Sequence, residues 1–196
     1  MASDLWDTGT ILTSVAISDA SQDYGAPLEI RDVIEQAFSD LEDKMDVHGI
    51  KFNVEGSCKI KARPDDIYIA VIRVLQWLAQ REIETSADVN AEINVRCMTA
   101  DGYSQAIFED LSNRLPQKLR EQLFLPFSTS LNRPFDTKLS GPGIYLPLYL
   151  AKILVEEKYG GSLEDKTDEL KGDIGHRIVM RFEPSVNTNT RERISR

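Results

Sequence analysis

The sequence predicts a two-layer α/β sandwich, with one mixed, mostly antiparallel sheet and three main helices on one face. Three observations carry that expectation. Apolar residues recur at three-to-four spacing in stretches that begin near Pro27, Asp65 and Tyr145. Short runs rich in β-branched and aromatic residues separate and follow them, at residues 50–54, 91–98, 104–109 and 177–182. Turn signals punctuate the runs, at Glu55-Gly56-Ser57 and at Ala100-Asp101-Gly102.

In chain order, residues 10–18 alternate loosely and read as an edge strand before a polar loop. Pro27 opens the first helix, whose apolar stripe is Leu28, Ile30, Val33, Ile34, Ala37, Phe38, Leu41 and Met45, and which ends near His48-Gly49. Its acidic face is most simply a solvated face. Residues 50–54 and 59–62 are short strands. Pro64-Asp65-Asp66 starts a second helix running to about Ile83, lined by Ile67, Ala70, Val71, Val74, Leu75, Leu78 and Ala79. Strands at 91–98 and 104–109 flank the Asp101-Gly102 turn, and the second delivers Asp110. A short helix follows Pro116 and ends at Gln122, residues 128–140 have turn composition without a period, and a third helix runs to Gly160-Gly161. A strand from Ser162, an acidic turn at 164–173 and a strand at 177–182 close the domain.

Composition narrows the function classes. A chain of 196 residues buries one sizeable core without staples. Its net charge of −9 argues against a nucleic-acid or anionic-membrane surface, because both reward clustered Lys and Arg. Cys58 and Cys97 stand in unrelated contexts without C-x-x-C spacing, so they read as small core residues in a reducing compartment. No run reaches the roughly 18 apolar residues of a membrane span, and residues 1–7 carry acids where a signal peptide has a basic start. A cytoplasmic location is expected.

Residues 106–161 hold an apolar run into an acid, a helix, a loop, a Gly-Pro-Gly turn and a second helix. Within them stand Asp110-Leu-Ser112-Asn-Arg114-Leu115-Pro116, Leu123-Phe124-Leu125-Pro126-Phe127, and Tyr149 through Gly160-Gly161. This order resembles the ATPase domain of sensor histidine kinases, the family shared with gyrase and mismatch-repair ATPases. There a strand ends in D-x-G-x-G-I-P, an F-box and a lid follow, and G-x-G-x-G precedes the last helix. The resemblance spans roughly residues 28–184. It implies a linker and edge strand over 1–26 leading in from an upstream dimerisation domain, an ATPase-like domain over 27–184, and a flexible tail over 185–196.

The resemblance also implies roles. Asp110 would accept a hydrogen bond from the adenine amino group. Ser112 and Arg114 fall where the next two glycines allow close approach of the nucleotide, and a side chain there obstructs it. On the second helix, an ungapped match puts Arg73 and Trp77 at the two family asparagines, the second of which holds magnesium; a one-turn slip puts Trp77 and Arg81 there. In both registers no oxygen ligand remains for a hard cation. The phosphate glycines match Gly143, Tyr145 and Pro147, or Gly141, Gly143 and Tyr145 with a two-residue insertion. Lys138, Arg133 or Arg114 could offer charge to phosphates.

Neither His48 nor His176 lies in the family's phosphoacceptor context, H-E-x-x-N, and both read as structural or surface residues. The expected function is a degenerate histidine-kinase-like domain acting as a regulatory module of a two-component-type sensor. ATP would bind weakly or not at all, and magnesium would not bind. Expected partners are dimerisation or phosphotransfer helices or a response-regulator receiver domain, with a homodimer formed through the upstream segment. The alternative is a working ATP-binding catalytic domain that phosphorylates a histidine on a separate dimerisation domain.

Overall fold

A computed structural model describes residues 26–42, 46, 48–85, 91–125 and 146–183. The edge strand expected at 10–18, the lid at 128–140, Pro126 and Phe127 of the F-box and the tail lie outside the described residues, as do Arg133, Lys138, Gly141, Gly143 and Tyr145.

Leu28–Glu29 (β1) pairs antiparallel with Lys59–Ile60 (β3) as a separate two-stranded sheet. That pairing corrects the expected helix start. The first helix, α1, runs Ile30–Ser39, because Leu28 and Glu29 are extended and the Ile30 N–H donates to the Cys58 carbonyl at 3.1 Å. Ile30, Val33, Ile34 and Ala37 form its buried stripe, as the spacing predicts. Helical conformation recurs at Glu42 and Asp46, ahead of Gly49.

Lys51–Gly56 (β2) lies at one edge of the main sheet. Pro64–Thr85 (α2) then crosses over, so that β2 pairs parallel with Glu92–Ala100 (β4). β4 returns through Asp101-Gly102 into Tyr103–Glu109 (β5), its antiparallel neighbour. After the single turn Gln117–Arg120 (α3), the described chain resumes at Leu146–Ile153 (α4), which widens into a π turn at Leu154–Lys158. Ser162–Asp165 (β6) and Arg177–Phe182 (β7) complete the sheet in the order β2-β4-β5-β7-β6, with all pairs but the first antiparallel. The two-layer mixed sandwich is as the sequence predicts.

α2 packs between α1 and α4 on one face of the sheet. Its stripe of Ala70, Val71, Val74, Leu75 and Leu78 meets Ile93, Val95, Phe108, Ile178 and Met180 from the strands in one core. The other face carries charge, with Arg96 near Glu55 and Arg177 paired to Glu109. Among the described residues, no helix is long and apolar enough to cross a membrane.

One buried ion pair ties α4 to the start of α2. Lys158 Nζ lies 2.9 Å from Asp66 Oδ2, with the Lys158 side chain 9% exposed, and the Tyr159 hydroxyl donates to the same carboxylate. The Tyr159 oxygen in turn accepts from the Arg63 N–H at 3.2 Å. Removing one partner of a buried pair is more damaging than the pair is stabilising, because it strands the other charge. Asp66→Ala is expected to destabilise the fold by about 3 kcal/mol, measured by urea denaturation.

Burial, and then the hydrogen bond to Asp66, raises the Tyr159 pKa. Burial, and then Asp40 at 2.6 Å, pushes Tyr68 up to about 12. Both phenols therefore keep their protons in the fold to higher pH than in the unfolded chain. Their stabilising contribution is intact below the unfolded pKa of about 10 and is lost as pH rises from there through the native values. Denaturation midpoints are expected to fall across that alkaline window, and to fall less in a Tyr68→Phe, Tyr159→Phe double variant.

Candidate functional site

β5 feeds its chain from the sheet directly into the loop that carries Asp110, Ser112 and Arg114. Asp110 is 2% exposed, so its carboxylate must be satisfied from within. It is: Oδ1 accepts the His176 N–H at 2.6 Å, and Oδ2 accepts the Ser112 hydroxyl at 2.7 Å. The His176 ring, fully buried, supplies the third donor. The Leu115 N–H donates to its Nε2 at 3.0 Å, so Nε2 carries no proton and the ring is the Nδ1–H tautomer. That Nδ1–H faces Asp110 Oδ1 at 3.1 Å and Oδ2 at 3.3 Å, and Ser112 Oγ at 3.1 Å.

α2 closes this cluster from above. Trp77 is 2% exposed and meets the His176 ring edge-on, with ring centroids 5.2 Å apart at 77°. One turn further, buried Glu82 accepts the Leu111 N–H at 2.7 Å. Arg81 donates from Nη2 to the Asn113 carbonyl at 3.2 Å.

The opposite wall is the segment before β7. Gly175 N–H donates to the Ser112 carbonyl at 2.7 Å, and Asn113 bridges to Ile174. Arg114 folds back onto the same segment, with Nη2 3.1 Å from the Ile174 carbonyl and Nε 3.3 Å from that of Gly175. Gly175 sits at φ +83°, and a Cβ there would lie 2.6 Å from the Asp110 carbonyl oxygen. Arg120, buried, secures the far end through the Leu115 carbonyl at 3.2 Å and Asp165 at 2.8 Å.

No family model matches the sequence, and no curated protein does. Solved structures do match. The mycobacterial sensor histidine kinase MprB is 22% identical with a TM-score of 0.62, over 80% of this chain and 95% of that one. The histidine kinase AdeS of Acinetobacter baumannii is 13% identical with a TM-score of 0.66, over 94% and 79%. The catalytic domain of histidine kinase ThkA is 17% identical with a TM-score of 0.56, over 81% and 96%. The chain has the Bergerat fold of histidine kinase catalytic domains.

Of the site residues expected from sequence, this Bergerat fold brings Asp110, Ser112 and Trp77 together around one imidazole. Arg114 lies beside them, turned to backbone carbonyls. Arg73 is one helical turn before Trp77, and its Nη1 donates to Gln76 Oε1 at 3.2 Å. Two partners were missed. His176 stands apart from Asp110 in sequence and shows no motif. Glu82 carried a readable signal, because Leu75, Leu78, Ala79 and Glu82 share one face of α2 and a carboxylate in a buried stripe needs a donor.

His176→Ala would leave the buried Asp110 carboxylate short of a ring donor and is expected to destabilise the fold by about 2–4 kcal/mol. Gly175→Ala, opposed by the Asp110 carbonyl and by its dihedral, is expected to destabilise by about 3 kcal/mol. Urea denaturation of both variants checks each figure.

Proposed function

We propose that this chain is a signalling module on the histidine kinase catalytic fold whose nucleotide site has become internal packing, so that it acts by binding partners and not by turning over ATP. The carrying observation is the state of Asp110: the carboxylate that the resemblance assigns to the adenine amino group already accepts from Ser112 and from both the backbone and ring of His176. An adenine would have to displace those donors and the His176 ring beneath Trp77.

A bound magnesium nucleotide fits these residues poorly. Magnesium takes oxygen ligands, and Arg73, Trp77 and Arg81 provide none in either register. Arg114 is engaged with the carbonyls of Ile174 and Gly175 and is directed away from any phosphate role. The partners that suit the fold are the dimerisation or phosphotransfer helices of the same or another polypeptide, or a response-regulator receiver domain.

A second reading is a working catalytic domain that phosphorylates a histidine on a separate dimerisation domain. The similar solved structures, which are histidine kinases, and the retained acid at Asp110 favour it. Isothermal titration separates the two. The expected result is no magnesium-dependent ATP binding tighter than about 1 mM. A micromolar, magnesium-dependent Kd would overturn the first reading.

A further inference from the structure

The chain has two cysteines, and the fold sets one against the other. β2 pairs with β4 so that Gly56 lies opposite Cys97. The approach is close: a Cβ on Gly56 would sit 2.1 Å from the Cys97 carbonyl oxygen. Two residues on, the chain turns Cys58 back under the same strand. Its carbonyl is held by the Ile30 N–H, and its Sγ lies 3.5 Å from the carbonyl of Gln105, which pairs with Met98 beside Cys97. Both thiols are buried, and their side chains are near enough for each to shift the titration of the other.

We infer that Cys58 and Cys97 are a modification site, a dithiol that small hydroperoxides convert reversibly into an intramolecular disulfide. Packing alone asks of buried cysteines only that they be small and apolar. Here the thiols also differ in place. Cys58 lies in the connection beside exposed Gly56 and Ser57, while Cys97 lies within β4, so Cys58 is the thiol an oxidant meets first and Cys97 the one that resolves. The contact with Cys97 also lowers the Cys58 pKa. Gly56 and Ser57, next to Cys58 in the chain, are exposed, and Arg31 reaches across to the Gly56 carbonyl at 3.4 Å.

The chemistry balances with one hydroperoxide. The Cys58 sulfur attacks a peroxide oxygen, the O–O bond breaks, and Cys58 sulfenic acid and an alcohol (water, from hydrogen peroxide) result. The Cys97 sulfur then attacks the sulfenic sulfur, the S–S bond forms, the S–O bond breaks, and water leaves with the Cys97 proton. Two thiols are oxidised and one peroxide is reduced. The cross-link would enclose α2 and join the β2–β3 connection to the middle of β4. This inference does not depend on whether the chain binds ATP.

The test uses the full chain, reduced, freed of reductant and exposed to hydrogen peroxide without denaturant. Intact mass is expected to fall by two hydrogens per molecule. Peptide mapping should join the Cys58 peptide to the Cys97 peptide, and dithiothreitol should restore the starting mass. In Cys97→Ser, or Cys97→Ala should serine disturb the core, dimedone is expected to trap a sulfenic acid at Cys58. Two thiols left unreacted, oxygen added to each cysteine separately, or disulfides between chains would overturn the inference.

Discussion

A carboxylate held away from water governs the centre of this molecule. Asp110 lies where β5 leaves the sheet, and its burial obliges the surrounding chain to bring donors to it. Ser112 comes from two residues on, His176 from the far side of the last hairpin, and the backbone of Leu115 fixes which ring nitrogen carries the proton. Each donor also places a piece of backbone. The loop from Asp110 to Leu115 and the segment entering β7 are one hydrogen-bonded unit, and Gly175 is a glycine because that unit leaves no room for a Cβ.

The same cluster sets what the helical layer does. Trp77, from α2, contacts the imidazole edge-on. Glu82 and Arg81 tie the helix to the loop below through backbone groups of Leu111 and Asn113.

Much of the fold was legible in the sequence, and the reasons are physical. α2 and the β4–β5 hairpin declared themselves because apolar periodicity and the Asp101-Gly102 turn are local signals. The start of α1 was misplaced because Leu28 and Glu29 follow a non-local rule: they pair with Lys59 and Ile60, and that partner overrides helical periodicity. The acid at Asp110 could be read from motif order. His176 could not, since nothing near it in sequence records that its ring will meet Asp110. The two cysteines were separated for the same reason, their contact being a product of the parallel β2–β4 register.

That register has a further effect, on the order in which the sheet can assemble. β4 and β5 need close only a two-residue turn, an event of microseconds for a hairpin. β2 cannot join β4 until the whole of α2 has been laid across the sheet, and β7 must find β5 across a much longer stretch of chain. The β4–β5 hairpin is therefore the natural nucleus, and the Asp110–His176 contact, which waits for β7, is among the last to form. Newly made chains would pass through a stage in which the acid is still open to solvent.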